Sequence, residues 1–172
     1  FFSAWPIDGA LPAGLCMVSR EDAQVVLDLH RPAGNTLWLC PKGVRVGMGC
    51  RRGTSETALR TLLEEVLAQE DIPQRAVSAL CTIDLKKDEA GLQELARELG
   101  VPLTTYSAQE LAQVPGDFTP SLFVEQVTGV DNVCERAALA CGGTLLRHKT
   151  AKDGATVALA LEELHLTWEE HG

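Results

Sequence analysis

The sequence has no CxxC pair, no histidines at metal-ligand spacing, no excess of basic residues and no long apolar run. Each absence removes a class of protein. Without paired cysteines, a chain of 172 residues must stabilise itself by burial, so its six cysteines read as cytoplasmic thiols and not as a disulfide framework. His30, His148, His165 and His171 are too scattered to imply a metal site. A net charge of −9 opposes nucleic-acid binding, which needs a basic face against phosphates. No run reaches the roughly 18 apolar residues that a spanning helix needs, and no basic start precedes an apolar stretch as in a secretory signal. The chain also opens on Phe1 without a Met, so a processed or excised chain is expected, with native sequence continuing upstream.

What is present is globular. Apolar residues make up 45% of the chain and mean hydropathy is +0.02, a balance that suits one domain of ordinary size with at most a short extra segment. Residues 1–42 hold four prolines (Pro6, Pro12, Pro32, Pro41) and only short apolar stretches, which read as strands or a hairpin. They are taken as a linker or hairpin ahead of an α/β domain spanning 43–172.

From Val44 the pattern becomes regular. Val44 to Met48 reads as a strand running into glycines, followed by a helix with Leu59, Leu62, Leu63, Val66 and Leu67 on one face. Val77 to Ile83 is a second strand, and the helix after it carries Leu92, Leu95, Ala96 and Leu99 before Gly100. Leu103 to Tyr106 is a third strand. Ser107 and Glu110 form a capping box for a short helix that Pro115 stops. Asp131 is expected to cap a helix through Ala140, and Thr144 to Lys149 with Thr156 to Leu161 read as two strands around Asp153 and Gly154. The alternation predicts a three-layer αβα fold: a mostly parallel sheet of about five strands, helices on both faces and a C-terminal antiparallel hairpin.

In such a fold, ligands bind at the carboxyl ends of the strands. Two strand-to-helix turns are unusual there. The first runs through Gly47, Gly49, Cys50, Arg51, Arg52, Gly53 and Thr54, where glycines allow close backbone approach and two arginines attract an anion. The second holds Asp84, Lys86, Lys87 and Glu89. A right-handed crossover, the rule in roughly 98% of parallel units, puts both turns on one edge, so four cations converge in an acidic chain. Solvated surface charge explains the same residues equally well. Neither GxGxxG nor GxxxxGK[ST] is met, since Arg52 stands where a glycine is needed and Gly49 to Gly53 is one residue short. Cys50 reads as a small packed side chain, Glu135 as serving either a helix dipole or a ligand, and Lys149 as either an edge guard or a functional residue.

These residues resemble a known family. Gly47-Met48-Gly49-Cys50-Arg51-Arg52-Gly53-Thr54, Ile83-Asp84-Leu85-Lys86-Lys87-Asp88-Glu89 with Gly91-Leu92, Gly129-Val130 with Glu135-Arg136-Ala137-Ala138-Leu139, and Lys149 with Thr156-Val157-Ala158 are similar to the C-terminal domain of the cobalamin-biosynthesis protein CbiG and its stand-alone relative CobE. The likeness covers Val44 to Leu161. It implies a role in building the corrin ring: the full-length family opens the δ-lactone of cobalt-precorrin-5A and releases acetaldehyde. No cofactor is implied, because cobalt travels on the substrate. The implied partners are the precorrin itself and an N-terminal CbiG domain or other cobalamin-pathway enzymes, with no nucleic acid and no membrane. Lys86 is the implied electrostatic partner and Glu89 the implied base, with Gly47, Gly49, Cys50, Arg51, Arg52, Gly53, Thr54, Asp84, Lys87, Glu135 and Lys149 around the substrate. A CobE-like corrinoid carrier is the alternative, and a nucleotide-binding domain a more distant one. Because this chain has no counterpart of the family's N-terminal domain, it is not expected to turn over substrate alone.

Overall fold

The computed structural model describes residues 1–118 and 132–167. Its main sheet has five strands: β5 (Val44–Cys50), β6 (Val77–Ile83), β7 (Leu103–Tyr106), β8 (Thr144–Lys152) and β9 (Ala155–Leu161), in the order β7-β6-β5-β9-β8. β5, β6 and β7 are parallel neighbours, and β9 is antiparallel to both β5 and β8, so β9 alone opposes the common direction. The mostly parallel sheet and the C-terminal hairpin are both present. The hairpin docks through its second strand, which puts β9 beside β5 and leaves β8 at the edge.

Helix α1 (Glu56–Gln69) begins at Ser55, whose hydroxyl accepts from Ala58 N at 3.3 Å, and it buries Leu59, Leu62, Leu63, Val66 and Leu67. Helix α2 (Ala90–Leu99) ends at Gly100, which takes the left-handed conformation (φ 65°) that a residue with a side chain resists. These two helices cover one face, packing with Val44, Val46, Met48, Leu80, Val157 and Leu159. Helices α3 (Ala108–Gln113) and α4 (Val133–Leu139) cover the other, where Ala79, Cys81, Ile83, Leu111, Val133 and Ala137 form a second core. The capping box at Ser107 and Glu110 is formed, with both the side-chain and backbone bonds in place. Asp131 lies outside the described residues. The N-cap of α4 is Asn132, at φ 45°, whose Oδ1 accepts from Glu135 N at 3.2 Å.

One expectation needs correction. Gly47 and Gly49 lie within β5 and not in a turn: a Cβ on Gly47 would fall 1.7 Å from the carbonyl oxygen of Cys134, and one on Gly49 would fall 2.7 Å from Thr156 Oγ1. Gly47 therefore lets α4 press onto the sheet. Gly53 is the glycine that turns the chain, at φ 76°. Of the two readings open for residues 1–42, strands or a hairpin, the chain takes the first: β1 (Phe2–Ser3), β3 (Val25–Leu27) and β4 (Leu37–Leu39) pair in parallel. The chain turns back between Leu27 and Leu37, a stretch that includes Pro32 and Gly34, so that β4 runs in the same direction as β3. This small sheet packs where β5 and β6 begin: Leu29 joins the main core, and the Arg75 guanidinium lies 4.1 Å from the centre of the Trp38 ring. Two further strands, β2 (Ile7–Asp8) and β10 (Leu166–Thr167), pair with each other.

Candidate functional site

At the opposite end of the main sheet, the carboxyl ends of β5 and β6 open into a cavity of about 610 Å³. Its walls come from four places: Gly49 to Arg52, Ile83 with Lys86, the start of α4 from Asn132 to Cys134, and the β8–β9 hairpin from Lys149 to Thr156. Ile83, Val133, Ala151 and Ala155 supply apolar surface, while Arg51, Arg52, Lys86, Lys149 and Lys152 supply positive charge.

The two turns read from the sequence are bonded to each other. Glu89 accepts from the backbone N–H of Gly53 at 3.0 Å with one oxygen and from Lys86 Nζ at 3.0 Å with the other. The Gly53 N–H first, and the Lys86 ammonium second, hold the Glu89 carboxyl below the usual carboxylate range. Beneath this link the backbones touch. A Cβ on Gly91 would lie 2.3 Å from the Thr54 carbonyl oxygen, so α2 can approach the first turn only with glycine there. Thr54 closes that turn by donating its hydroxyl to Arg51 O at 2.8 Å, and Arg51 N donates to Gly154 O at 2.9 Å, which fastens the hairpin tip to β5.

The other candidates fall as follows. Arg51, Arg52 and Lys86 line the cavity with Gly49 and Cys50, whereas Lys87 and Asp84 are exposed beyond its wall and joined by a bond from Lys87 N to Asp84 O at 3.1 Å. Gly47, Gly53, Thr54 and Glu89 shape the site from behind. Cys50 is partly buried, and desolvation outweighs the nearby Lys86 ammonium to push its thiol above the ordinary range, so it is protonated at neutral pH. Burial likewise pushes Cys134 up to about 11. Glu135 has no exposed surface, and its Oε1 accepts from Lys149 N at 2.6 Å. Lys149 lines the cavity from the edge strand.

Sequence reasoning missed Asn132, Lys152 and the Asp153–Gly154 tip. The turn residues themselves were visible, but nothing local says that β9 lies next to β5. A smaller cavity of about 420 Å³, beside Tyr106 and Glu110, brings no lysine or arginine among its described lining residues. Among the described residues no cluster of three or more His, Cys, Asp or Glu side chains could hold a metal ion. No described helix is long and apolar enough to cross a membrane.

Residues 44–160 match the family described as the cobalamin synthesis G C-terminus. The chain belongs to this family. It is 42% identical over 123 residues to a cobalt-precorrin-5A hydrolase of Priestia megaterium, covering 70% of this chain and 33% of the relative. It is 36% identical over 153 residues to the cobalt-precorrin-5A hydrolase of Salmonella typhimurium, covering 88% of this chain and 42% of that one. The chain thus spans between a third and a half of the length of these two curated relatives. Among solved structures it is similar to CobE, a protein of the cobalamin (vitamin B12) biosynthetic pathway, with a TM-score of 0.65 and 38% identity over 71% of this chain and 92% of that one. Membership in this family gives the chain a role in cobalamin biosynthesis.

Proposed function

We propose that this chain holds the carboxylate periphery of a cobalt-precorrin-5A-type macrocycle, as the C-terminal part of the machinery that opens its δ-lactone and releases acetaldehyde. The observation that carries this reading is the convergence of Arg51, Arg52, Lys86 and Lys149 on one open cavity with apolar surface between them. A corrinoid intermediate offers the complement, an apolar ring edged with acetates and propionates, and charge-assisted hydrogen bonds to such groups are the strong ones. The acidic remainder of the chain does not oppose binding, because a local cationic cleft focuses the field.

In the reaction, water adds to the lactone carbonyl, a cation stabilises the oxyanion, and collapse breaks the ring C–O bond to leave a carboxylate and a free hydroxyl; a base then removes that hydroxyl proton, the carbon–carbon bond to the macrocycle breaks to release acetaldehyde, and the macrocycle keeps the electron pair and takes up a proton. Lys86 fits the cationic role, being anchored and facing the cavity. Glu89, the base expected from the sequence, has both oxygens engaged and a lowered pKa, and on this reading it ties the two turns together instead. The base belongs, on this reading, to the remainder of the longer hydrolases, and the implied partners are that N-terminal region or neighbouring pathway enzymes. The six free thiols fit a cytoplasmic setting.

Titration with cobyrinic acid, a corrinoid polycarboxylate, tests the reading. Binding should weaken as salt rises, and Arg51→Ala with Arg52→Ala should weaken it far more than removal of Arg97, which is exposed and paired with Glu94 on α2. Equal losses would mean that only net charge matters, and tight ATP or NAD binding without corrinoid binding would favour a nucleotide site. A second reading, a non-catalytic corrinoid carrier, is favoured by the similarity to CobE over 92% of that chain. Acetaldehyde release from cobalt-precorrin-5A, assayed with and without the N-terminal region of a longer relative, separates the two: a rise on addition supports the hydrolase reading, binding without release in either case supports the carrier, and full activity in the chain alone overturns the division of labour.

A further inference from the structure

β8 has nine residues and its partner β9 has seven, and the ladder between them slips twice, between Leu145 and Arg147 and again between Arg147 and Thr150. Each slip inserts one extra residue into β8 and bends the strand, as bulges beside functional sites do. The second slip contains His148 and Lys149. An extra residue has no place in the ladder, so its backbone N–H needs another acceptor or is left unsatisfied. For Lys149 that acceptor is the Glu135 carboxylate, at 2.6 Å. Glu135 reaches it from the first turn of α4, which lies close to the sheet because Gly47 has no side chain and β9 presents Ala158 and Ala160.

We infer that Glu135 is a positioning residue for the cavity: its buried carboxylate holds the Lys149 bulge and so aims the Lys149 ammonium at the anionic ligand. With no exposed surface, Glu135 acts through Lys149 instead of touching the ligand. Burying a carboxylate is costly, so a fold that needed only a hydrogen-bond acceptor at this point would be served as well by a neutral side chain. The His148 ring flanks the same oxygen at 3.4 Å with most of its own surface exposed, so both residues of the slip are gathered at one carboxylate. The inference rests on the reading that this cavity takes a carboxylate-bearing ligand, but the bulge geometry can be tested without one.

The experiment uses the 172-residue chain. In an amide ¹H–¹⁵N spectrum of the free protein, Lys149 should resonate far downfield and exchange slowly, as a short charge-assisted bond requires. Glu135→Gln should move that resonance upfield and speed its exchange. In parallel, Glu135→Gln and Lys149→Ala should each weaken cobyrinic acid binding by about tenfold, while Glu135→Gln added to Lys149→Ala should cost less than about twofold more. An unmoved Lys149 amide, or equal weakening by Glu135→Gln in both backgrounds, overturns the inference. If Glu135→Gln does not fold, Glu135→Asp replaces it, keeping the charge but withdrawing the acceptor, and the same amide shift decides. Failure of the wild-type chain to bind cobyrinic acid would count against the ligand reading alone, since the amide shift still settles the bulge.

Discussion

The two faces of the central sheet are built from different residues for different ends. Under α1 and α2 the sheet presents Val44, Val46, Met48, Leu80, Val157 and Leu159, and the helices answer with leucines and valines. Under α4 it presents Gly47, Ala158 and Ala160, opposite Cys134, Ala137 and Ala138. Large side chains bury more apolar area per contact, so the first face contributes most of the hydrophobic stabilisation. Small ones contribute less but let two backbones meet, as the Gly47 contact with Cys134 shows. The first face holds the fold together; the second sets where the start of α4 stands, and with it Asn132, Val133 and Glu135 beside the cavity.

Substitutions can separate these roles. The largest loss of stability is expected from Leu63→Ala, at a position 1% exposed: about 2–5 kcal/mol by denaturant unfolding, with cobyrinic acid affinity of the folded protein unchanged. Gly47→Ala should cost less, about 1–3 kcal/mol, yet weaken that affinity because α4 must move to admit a methyl group. If Leu63→Ala harmed binding as much as Gly47→Ala, the division between the faces would fail. Glu89→Gln tests the seam between the two turns through pH. The Glu89 pKa is depressed in the folded chain, so its contribution is present above the ordinary 4.5 and is lost as pH falls through the lower folded value. The variant should therefore be less stable than wild type near neutrality, with the difference closing in acid; a constant difference would mean that the lowered pKa does not stabilise the fold. Smallest of all, Arg97→Ala, on exposed surface, should leave the thermal unfolding midpoint essentially unchanged.

The first face was also the legible one. Leucines at helical spacing, Gly100 past the end of α2 and the Ser107–Glu110 box are local signals, and each appears in the fold where the sequence indicates it. Val77–Ile83 and Leu103–Tyr106 match their strands for the same reason. Gly47 misled because glycine looks the same in sequence whether it turns the chain or admits a neighbour. The pairing of β9 with β5, the bulges in β8 and the parallel strands near the N-terminus depend on contacts distant in sequence. At the site, crossover handedness was enough to bring Arg51, Arg52 and Lys86 together, and Lys149 came from family resemblance. Lys152 and Asn132 could not be found without the position of the hairpin tip and of α4.

The pairing of Ile7 and Asp8 with Leu166 and Thr167 joins strands near the two ends of the described chain by only two residues a side. Two residues a side supply few backbone bonds to hold so long a loop closed. With so few bonds across it, the clasp is expected to open before the main sheet does, and limited proteolysis should cut at this seam before it reaches the cationic cavity at the far end of the sheet.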